Sequence, residues 1–419
     1  IKKINHLNYF ERPKKLIIFR EDHLTREICV NLIKCGVSPV FFKLPKLKLH
    51  PISDEYFSQL KKRIIPIVKK HINQFVIHGV GENLLNLYFS ELRKKLDLQN
   101  TYEKYFNRYL SKFKEKLLCI SSYPSLLLTI SLSNVLRKKG LKLISTQHGV
   151  NREINEFYEY GSCYFENSIS DLLFVKNEEA KRISDLSVFK YGITKCVGAP
   201  KQMYLKIKQK KNRKVFFIST RISTGNLNNP SGYNTDLERV KNEIFLTKNI
   251  LNRLPYKVKF KAYPFEDYYV DMDPVHKVVE NCDNIDLIYT TRDLQDYLRE
   301  IEMIITSRAT STLSLCLMSN IPVVFINYSR EYSVKQKLIS KFSDSLFYFE
   351  FYSENFEKKI LSFLNKPREL ILKNLEKKRK NRKKLIEKYF CNTKIGSAGK
   401  YASRYIIENN FFKKIKCKD

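Results

Sequence analysis

The sequence is short of acidic residues, contains no tryptophan, and lacks CxxC pairs and long apolar runs. Lys and Arg number 77 against 43 Asp and Glu, which gives a formal charge of +34. We attribute part of this excess to AT-rich codon usage, because Lys, Ile, Asn, Tyr and Phe are all abundant. The remaining charge predicts an anionic partner, such as nucleic acid, a phosphorylated small molecule or an acidic lipid surface.

The nine cysteines form no CxxC pair and are odd in number, so neither a zinc framework nor a disulfide scaffold is indicated. A reduced, cytosolic compartment fits this pattern best. The longest apolar stretch, near residues 125–136, falls short of the roughly 20 residues that span a bilayer. No transmembrane helix is therefore expected.

Short runs rich in β-branched and aromatic residues alternate with longer segments of helical period, which is typical of sheets with crossover helices. The predicted fold class is α/β. In the first half of the chain, strands are predicted at residues 16–20, 39–43, 75–78, 117–121, 141–146 and 172–175. Helices are predicted at 83–96 and 123–138.

The alternation resumes after a basic stretch, residues 201–214, which carries seven Lys or Arg and no acid. Beyond it, strands are predicted at 215–219, 258–263, 285–289, 303–306 and 322–327, and helices at 236–254, 293–299, 312–319 and 356–364. The predicted organisation is an N-terminal domain (1–200), a linker (201–214), a C-terminal domain (215–385) and a basic helix or tail (386–419). Two α/β domains predict a cleft between them, with ligands at the carboxyl ends of the strands.

The first candidate site is the sequence Gln-His-Gly at 147–149, which follows a predicted strand. At a strand end, a neutral histidine can hydrogen-bond a hydroxyl and a protonated one can bind a phosphate. We therefore select His148 as a candidate catalytic residue, with Glu153, Glu156 and Glu159 as nearby candidates for a base or nucleophile. A histidine that only caps a turn is the alternative on this motif alone.

The second candidate site lies between the strand predicted at 303–306 and the helix that follows. Its hydroxyl-rich turn includes Ser307, Thr310, Ser311 and Thr312, beside Arg308. A helix that begins near Ser311 directs its free N–H groups and its positive dipole end toward this turn. Helix capping accounts for one of the hydroxyls, and we interpret the rest as a phosphate-binding site.

Two further turns follow strands of the second half. The segment from Lys261 through Tyr263 and Pro264 ends the strand predicted at 258–263 and could hold a base or sugar ring, although a hydrophobic strand end is an equal alternative. Arg221 follows the first strand of this half and opens a loop rich in Gly, Asn and Pro. Polar loops at strand ends often bind ligands, and Arg221 is predicted to reach the same phosphate.

Taken together, these segments resemble the GT-B glycosyltransferases of bacterial surface-carbohydrate synthesis. The resemblance rests on two Rossmann-like halves, the QHG sequence, the K-x-YP turn and the late DYL, IIT, ST and NIPVV segments, and covers roughly residues 141–389. The chain is more distantly similar to capsule and O-antigen Kdo transferases and to bacterial sialyltransferases. The resemblance implies a GT-B fold with two Rossmann-like domains facing a central cleft.

The resemblance also implies roles for particular residues. Thr310, Ser311 and Thr312 would hold the donor phosphate, and His148 would lie near the reacting centre. Tyr263 stands where sialyltransferase-like relatives have histidine, which is a departure from their pattern. A C-terminal helix that crosses back onto the N-terminal domain is implied as well.

No DxD-like metal motif stands at a predicted strand end, since the Asp-Met-Asp at 271–273 lies elsewhere. We therefore expect transfer without a metal or other cofactor. Lysine, arginine and helix dipoles would neutralise the leaving nucleotide in place of Mg²⁺.

The preferred interpretation is a glycosyltransferase that moves a sugar from a nucleotide donor to a surface polysaccharide or glycolipid. A CMP-linked Kdo or sialic-acid-like donor is weakly favoured, and UDP, GDP and CDP donors stay open. A CDP-alditol-dependent glycerol- or ribitol-phosphate transferase is an alternative, but its second histidine would have to be His276, which stands away from any predicted strand end. A nucleic-acid-binding protein is a further alternative. It is disfavoured because zinc spacing, RNP-type and helix-turn-helix patterns are missing, so no specific nucleic acid is expected.

The tail also predicts a location. Residues 366–419 hold 18 Lys or Arg against 5 acids, and each such cation near an anionic bilayer contributes on the order of 1 kcal/mol. We expect the linker and tail to hold a cytoplasmic enzyme against the inner face of the cell membrane, where lipid-linked acceptors reside.

Overall fold

The computed structural model describes residues 14–75, 81–122, 126–155, 158–203, 214–220, 236–263, 273–290, 292–330, 333–391 and 397–414. Three predicted site residues, Glu156, Arg221 and Pro264, lie outside these ranges, as does most of the predicted linker. None of the helices within these ranges is both long enough and apolar enough to cross a membrane.

The first six-stranded parallel sheet has the order β2-β1-β3-β4-β5-β6. Its strands are β1 Lys14–Arg20, β2 Ser38–Phe41, β3 Lys116–Ser121, β4 Leu143–Thr146, β5 Leu172–Val175 and β6 Ile193–Cys196. The accompanying helices are α1 His23–Lys34, α2 Asp54–Phe75, α3 Gly81–Leu110, α4 Leu126–Lys138, α5 Tyr158–Asn167 and α6 Glu178–Leu186.

The second six-stranded parallel sheet has the order β12-β11-β10-β7-β8-β9. Its strands are β7 Lys214–Ile218, β8 Val258–Lys261, β9 Ile285–Ile288, β10 Ile301–Thr306, β11 Val323–Asn327 and β12 Phe347–Glu350. The helices are α7 Asp236–Phe245, α8 Pro274–Glu280, α9 Leu294–Tyr297, α10 Ser311–Met318, α11 Ile339–Ser345, α12 Phe356–Leu364, α13 Arg368–Tyr389 and α14 Ala398–Glu408.

The predicted α/β class is confirmed, and most predicted strands lie within one or two residues of the observed ones. The strand predicted to begin at Phe75 is wrong at that residue, because Phe75 ends α2; the remainder, residues 76–78, lies outside the described ranges. The sequence patterns miss two strands, β6 and β12. Both are four-residue strands at a sheet edge, where a short, half-covered segment carries little apolar periodicity.

The chain divides into two compact units. The first comprises residues 1–145, 169–172 and 403–419, and the second comprises 146–168 and 173–402. In the first unit, the C-terminal segment packs against the sheet: Leu117 and Lys413 exchange backbone hydrogen bonds of 2.7 and 3.1 Å. Ser403 Oγ also donates to the Ile28 carbonyl at 3.1 Å.

In the second unit, the sheet is covered on both faces, which explains the almost unbroken apolar strands in the sequence. Along β7, Phe216 and Ile218 belong to one buried cluster, and Val215 and Phe217 to the other, as the two-residue period of a strand requires. The first cluster also contains Leu313 of α10. We call this side of the sheet the α10 face.

Candidate functional site

Three neighbouring strands of the second sheet end in a row. Thr306 of β10 pairs with Ile218 of β7, and Ile218 pairs with Lys261 of β8. Directly paired residues of neighbouring strands share a face, and Ile218 lies on the α10 face. Lys261 therefore lies on that same face at the carboxyl edge, about 10 Å from Thr306 across two strand spacings.

Lys261 is an unusual residue for this edge because its side chain is buried, with 5% exposure. Burial lowers the pKa of its amine, and the carboxylate of Asp293 only partly opposes that shift. Its amine makes no hydrogen bond or ion pair with any residue in the described ranges. A buried cation without a close counter-charge is costly, and a bound anion would offset that cost.

The β10–α10 connection supplies hydrogen-bond donors beside Lys261. The helix begins at Ser311, as predicted, with Thr310 as its N-cap, and within the described chain the Thr310 side chain makes no capping hydrogen bond. The Leu313 N–H donates to the Thr310 carbonyl at 3.0 Å, and the N–H groups of Ser311 and Thr312 keep their donor capacity for a ligand. Ser307 is buried, and its hydroxyl oxygen finds no hydrogen-bond partner among the described residues. Arg308 and Thr312 are half-buried at the same edge.

The QHG sequence packs directly against the start of α10. A Cβ placed on Gly149 would lie 2.6 Å from Cβ of Ser311, which is closer than real side chains approach, and 3.5 Å from Nδ2 of Asn151. Only glycine permits this approach of backbone to helix. Val150, next in the chain, joins the cluster that contains Leu313. The two candidate sites from the sequence are therefore one site within a single compact unit.

Gln147 is fully buried, and its side chain fixes the conformation of the QHG loop through hydrogen bonds. Its Nε2 donates to the Gly149 carbonyl at 2.8 Å and to Oε1 of Glu153 at 2.7 Å. Its Oε1 accepts from the backbone N–H of Lys176 at 2.9 Å. A glutamine is well suited here, because one amide group serves two acceptors and one donor at once.

His148 has both backbone groups fixed while its side chain is exposed. Its N–H donates to Oε1 of Glu166 at 2.9 Å, and its carbonyl accepts from Nζ of Lys176 at 3.2 Å. The imidazole is thus presented from a rigid loop beside the start of α10. This geometry suits a group that exchanges a proton with a ligand, and the catalytic role of His148 stays a prediction.

Arg152 anchors the segment after QHG and is not among the residues that the sequence singles out. It is fully buried and forms an ion pair with Glu166, the acceptor of the His148 N–H. It also donates to Asn167 Oδ1 at 2.9 Å and to Ser184 Oγ at 2.7 Å. Burial opposes its charge, but nearby anions led by Glu166 outweigh burial and raise the pKa of Arg152.

Lys335 holds the same segment from the β11–α11 connection. Its Nζ donates to the Arg152 carbonyl at 2.7 Å, and its backbone N–H donates to the Ile154 carbonyl at 2.9 Å. It also forms an ion pair with Glu159, a predicted candidate base. Glu159 is therefore engaged in holding a lysine, and its selection as a base stays a prediction.

Glu153, another predicted candidate, is fully buried. Its Oε1 accepts from Gln147 at 2.7 Å and from Asn177 Nδ2 at 2.8 Å. Burial raises the pKa of this carboxyl, although these hydrogen bonds and Arg152 oppose the shift. These contacts favour a positioning role for Glu153, in which it orients the amide of Gln147.

We expect Glu153→Gln to be more stable than the wild type at pH 8 and no more stable at pH 4. A carboxyl whose pKa is raised on folding binds its proton more tightly in the folded state. The free energy of unfolding therefore falls as pH rises from the unfolded pKa through the folded pKa, by about 1.4 kcal/mol for each pH unit that separates the two pKa values. Glutamine keeps the acceptor oxygen and removes this loss. Thermal unfolding across this pH range measures the difference.

Glu179→Gln is the matched control with the opposite sign. Hydrogen bonds from Arg182 lower the pKa of Glu179, so its carboxylate stabilises the fold above the unfolded pKa, and the variant should lose stability at pH 8. A Glu153→Gln variant that is also less stable at pH 8 would contradict the positioning role. So would one that keeps its stability and loses all turnover.

Arg382 of α13 fixes the opposite end of α10 and is also missed by the sequence patterns. Its buried guanidinium donates to the Leu317 carbonyl at 2.6 Å, to Cys316 O at 3.2 Å and to Ile321 O at 3.0 Å. Burial lowers the pKa of Arg382 to about 10. A cation at the carboxyl end complements the helix dipole, so α10 is held at both ends.

The residues just before Arg221 belong to a buried polar network. Ser219 and Thr220 donate to the carboxylate of Glu243 at 2.7 and 3.0 Å. Arg239 lies 3.5 Å from Glu243 and 3.2 Å from Asp273. Because Ser219 and Thr220 directly follow β7, this network lies at the carboxyl edge of the second sheet.

His276 lies within α8, in a helix and not at a strand end as expected, and joins this network through Asp273. Its ring lies edge-on to Tyr289, directly after β9, with centroids 5.0 Å apart. Nε2 of His276 lies 3.8 Å from Asp273, and burial lowers the pKa of this histidine. Asp273 also caps α8 by accepting from the Val275 N–H at 2.9 Å. In the described parts of the chain, no group of three or more His, Cys, Asp or Glu side chains is placed to hold a metal ion.

Comparisons with known proteins agree with this architecture. No protein-family model and no curated protein matches the chain. Among solved structures, a UDP-GlcNAc 2-epimerase from Methanocaldococcus jannaschii in complex with UDP-GlcNAc and UDP has a TM-score of 0.52 at 14% identity, over 94% of this chain and 99% of its own. A glycosyltransferase from Rickettsia africae has a TM-score of 0.51 at 12% identity, over 96% and 100%. The fold is GT-B, with two Rossmann-like domains.

Proposed function

We propose that the protein is a glycosyltransferase that moves a sugar from a nucleotide donor to a surface polysaccharide or glycolipid acceptor. The observation that carries the proposal is the close approach of Gly149 to Ser311. This approach places His148, whose backbone is fixed by hydrogen bonds, beside the start of α10, where backbone N–H groups can still donate to a ligand. Proton transfer and anion binding are the two capacities that sugar transfer from a nucleotide requires.

In the proposed reaction, the donor phosphate binds at the start of α10. The N–H groups and hydroxyls of Ser311 and Thr312 contact it, and Lys261 and Arg308 add positive charge. The acceptor hydroxyl oxygen forms a bond to the anomeric carbon as the bond from that carbon to the phosphate oxygen breaks. His148 takes the hydroxyl proton, and the nucleotide leaves with the electron pair, stabilised by these cations and N–H groups without a metal.

The nucleotide of the donor has two candidates, CMP and UDP. The hydroxyl cluster and the resemblance to Kdo and sialic-acid transferases support a CMP-linked donor. The epimerase structure is a complex with UDP-GlcNAc and UDP, which supports a UDP-linked donor. Thermal shifts with the free nucleotides distinguish these two donors.

We expect at least one of CMP, CDP, UDP, GDP and ADP to raise the melting temperature of the protein at low salt. A ligand that binds only the folded state adds about 2.7 kcal/mol at a free concentration one hundred times Kd. A preference for CMP would select the acidic-sugar donor, and a preference for UDP the second candidate. No shift with any of the five would contradict the proposed function.

A pair of lysine variants locates the bound nucleotide. Lys261→Met should weaken nucleotide binding and leave the free protein as stable or more stable, because it removes a buried charge. Lys358→Met removes an exposed lysine of α12 and serves as the control with the same change in net charge. Equal loss of affinity in both variants would show nonspecific attraction by the basic chain instead of a site at Lys261.

We also propose that the acceptor brings the protein to the inner face of the cell membrane, as a peripheral cytoplasmic enzyme. The exposed side of α13 carries Lys373, Lys377, Lys380, Lys384 and Lys388. Such a row supports attraction to anionic lipid.

A further inference from the structure

The long helix α2 leaves its apolar side chains uncovered. It has 22 residues, and none of its described side chains is buried. Ile64, Ile65 and Val68 are only half-buried, and Ile67 is 70% exposed. A helix with an apolar stripe requires a surface against which to pack it.

The start of α3 has the same character. Leu84, Leu87 and Tyr88 are all exposed, with Leu87 at 59%, and the first buried residue of α3 is Phe89. Phe89 contacts Phe57, near the beginning of α2, with ring centroids 6.5 Å apart.

A second contact joins the two helices at the same place. Arg93 of α3 forms an ion pair of 2.9 Å with Asp54, at the start of α2. Ile67 lies about 15 Å further along α2 than Phe57 at 1.5 Å per residue. Ile67 therefore lies well beyond the point where Phe57 and Phe89 join the two helices.

Charge identifies the partner for this surface. Residues 56–81 include Lys61, Lys62, Arg63, Lys69 and Lys70 and contain no Asp or Glu. A second copy of the same surface would bring like charges together, whereas an anionic surface would complement them. On α3, Glu82 and Glu91 flank Leu84 and Leu87, so the basic excess belongs to α2. Apolar side chains flanked by lysines, as on α2, are typical of helices that lie in a lipid interface, where the lysine stems extend their amines to the headgroups.

The basic helix α13 offers less of the apolar part of this combination, since its exposed leucines, Leu370 and Leu372, are 42% and 40% exposed against 70% for Ile67 and 59% for Leu87. Its stripe of Ile371, Arg382, Leu385 and Tyr389 is already buried within its own unit, so mainly charge remains on the outside. A surface that offers mainly charge binds bilayers weakly and is easily displaced by salt.

We propose that the α2–α3 hairpin is the surface that binds an anionic lipid bilayer, with Ile67, Leu84 and Leu87 entering the interface. The inference rests on the membrane partner named in the proposed function and locates it on a particular element. Membrane binding and sugar transfer are tested separately, because nucleotide binding by the hairpin variants is measured in solution without vesicles. Loss of vesicle binding with normal nucleotide binding would concern the hairpin alone.

The test is co-sedimentation with vesicles of phosphatidylcholine and phosphatidylglycerol in equal parts. The wild type should bind these vesicles and not vesicles of phosphatidylcholine alone. Ile67→Asp with Leu87→Asp should weaken binding at least about tenfold. The matched control, Leu370→Asp with Leu372→Asp, makes the same change at exposed leucines of α13 and should retain binding. Failure of the wild type to bind, equal binding to neutral vesicles, or loss only in the control would each overturn the inference.

The absence of tryptophan from the chain provides a second readout that needs no disruptive charge. A single tryptophan at Leu87→Trp should shift its emission to the blue on addition of the anionic vesicles and be quenched by brominated lipid. Leu372→Trp on α13 should show neither effect. Emission from Leu87→Trp that vesicles leave unchanged would contradict insertion of the hairpin.

Discussion

Replacing Gly149 by alanine is expected to abolish nucleotide binding and to reduce transfer at least about 100-fold, the size of loss that a misplaced site produces. The new Cβ would lie 2.6 Å from Cβ of Ser311, so the loop and the start of α10 have to separate. Overpacking of this kind typically costs about 1–3 kcal/mol of stability. Nucleotide titration and thermal unfolding measure the two effects.

A compensating change tests the physical cause. Ser311→Gly removes the atom that the new methyl group meets, so the double variant Gly149→Ala with Ser311→Gly should regain stability over the single Gly149→Ala variant. Gly161→Ala is the control, because its new Cβ would have Phe165 as its nearest neighbour at 4.0 Å. A Gly149→Ala variant with wild-type stability and binding would contradict the close approach on which the site depends.

Replacing His148 by alanine is expected to reduce turnover by about 10²-fold or more, with little change in the melting temperature or in nucleotide affinity. The imidazole is exposed, and the hydrogen bonds of this residue with Glu166 and Lys176 are made by its backbone. The loss should therefore fall on kcat and leave the folded state intact. Steady-state kinetics, with nucleotide binding measured in parallel, separates the two.

His50→Ala is the matched control, because the hydrogen bonds of His50 with Thr101 and Asn100 also use its backbone atoms and it lies in the other compact unit. It should retain wild-type turnover. If His148→Ala transfers sugar at the wild-type rate, the proton exchange assigned to His148 is excluded. If it instead loses nucleotide binding, the histidine contacts the donor and the assignment of its role changes.

The sequence is sufficient for the elements that carry the site. The hydroxyl-rich turn and the start of α10 at Ser311 follow from local rules of helix capping, and the buried strands follow from apolar runs. The meeting of Gly149 with Ser311 could not be predicted in this way, because it depends on how distant segments pack. Periodicity carries no information about that distance.

The buried cations escape prediction for a different reason. In a chain with a charge of +34, Arg152, Lys335 and Arg382 look like surface residues. One of them leaves a signal: Arg382 shares the apolar spacing of Leu385 and Tyr389 along α13, which places it on the buried side of that helix. Arg152 and Lys335 lie in irregular segments, where no period distinguishes a buried charge from an exposed one.

The carboxylates near QHG show the same limit. Their closeness in sequence to His148 indicates a base or nucleophile, yet Glu153 is enclosed by Gln147 and Asn177, and Glu159 pairs with Lys335. Glu166, which no sequence pattern singles out, accepts from the His148 backbone and pairs with Arg152. Closeness in sequence to His148 identifies the right loop. It does not show which carboxylate accepts a hydrogen bond, which pairs with a cation and which faces the ligand.

The proposed function depends most on a nucleotide phosphate binding where the QHG loop meets α10. A crystal structure with the nucleotide that gives the largest thermal shift tests this most directly. We expect phosphate oxygens within hydrogen-bond distance of the Ser311 or Thr312 N–H groups, with His148 on the sugar side. A nucleotide bound elsewhere, with no contact to the start of α10, would contradict the proposed site.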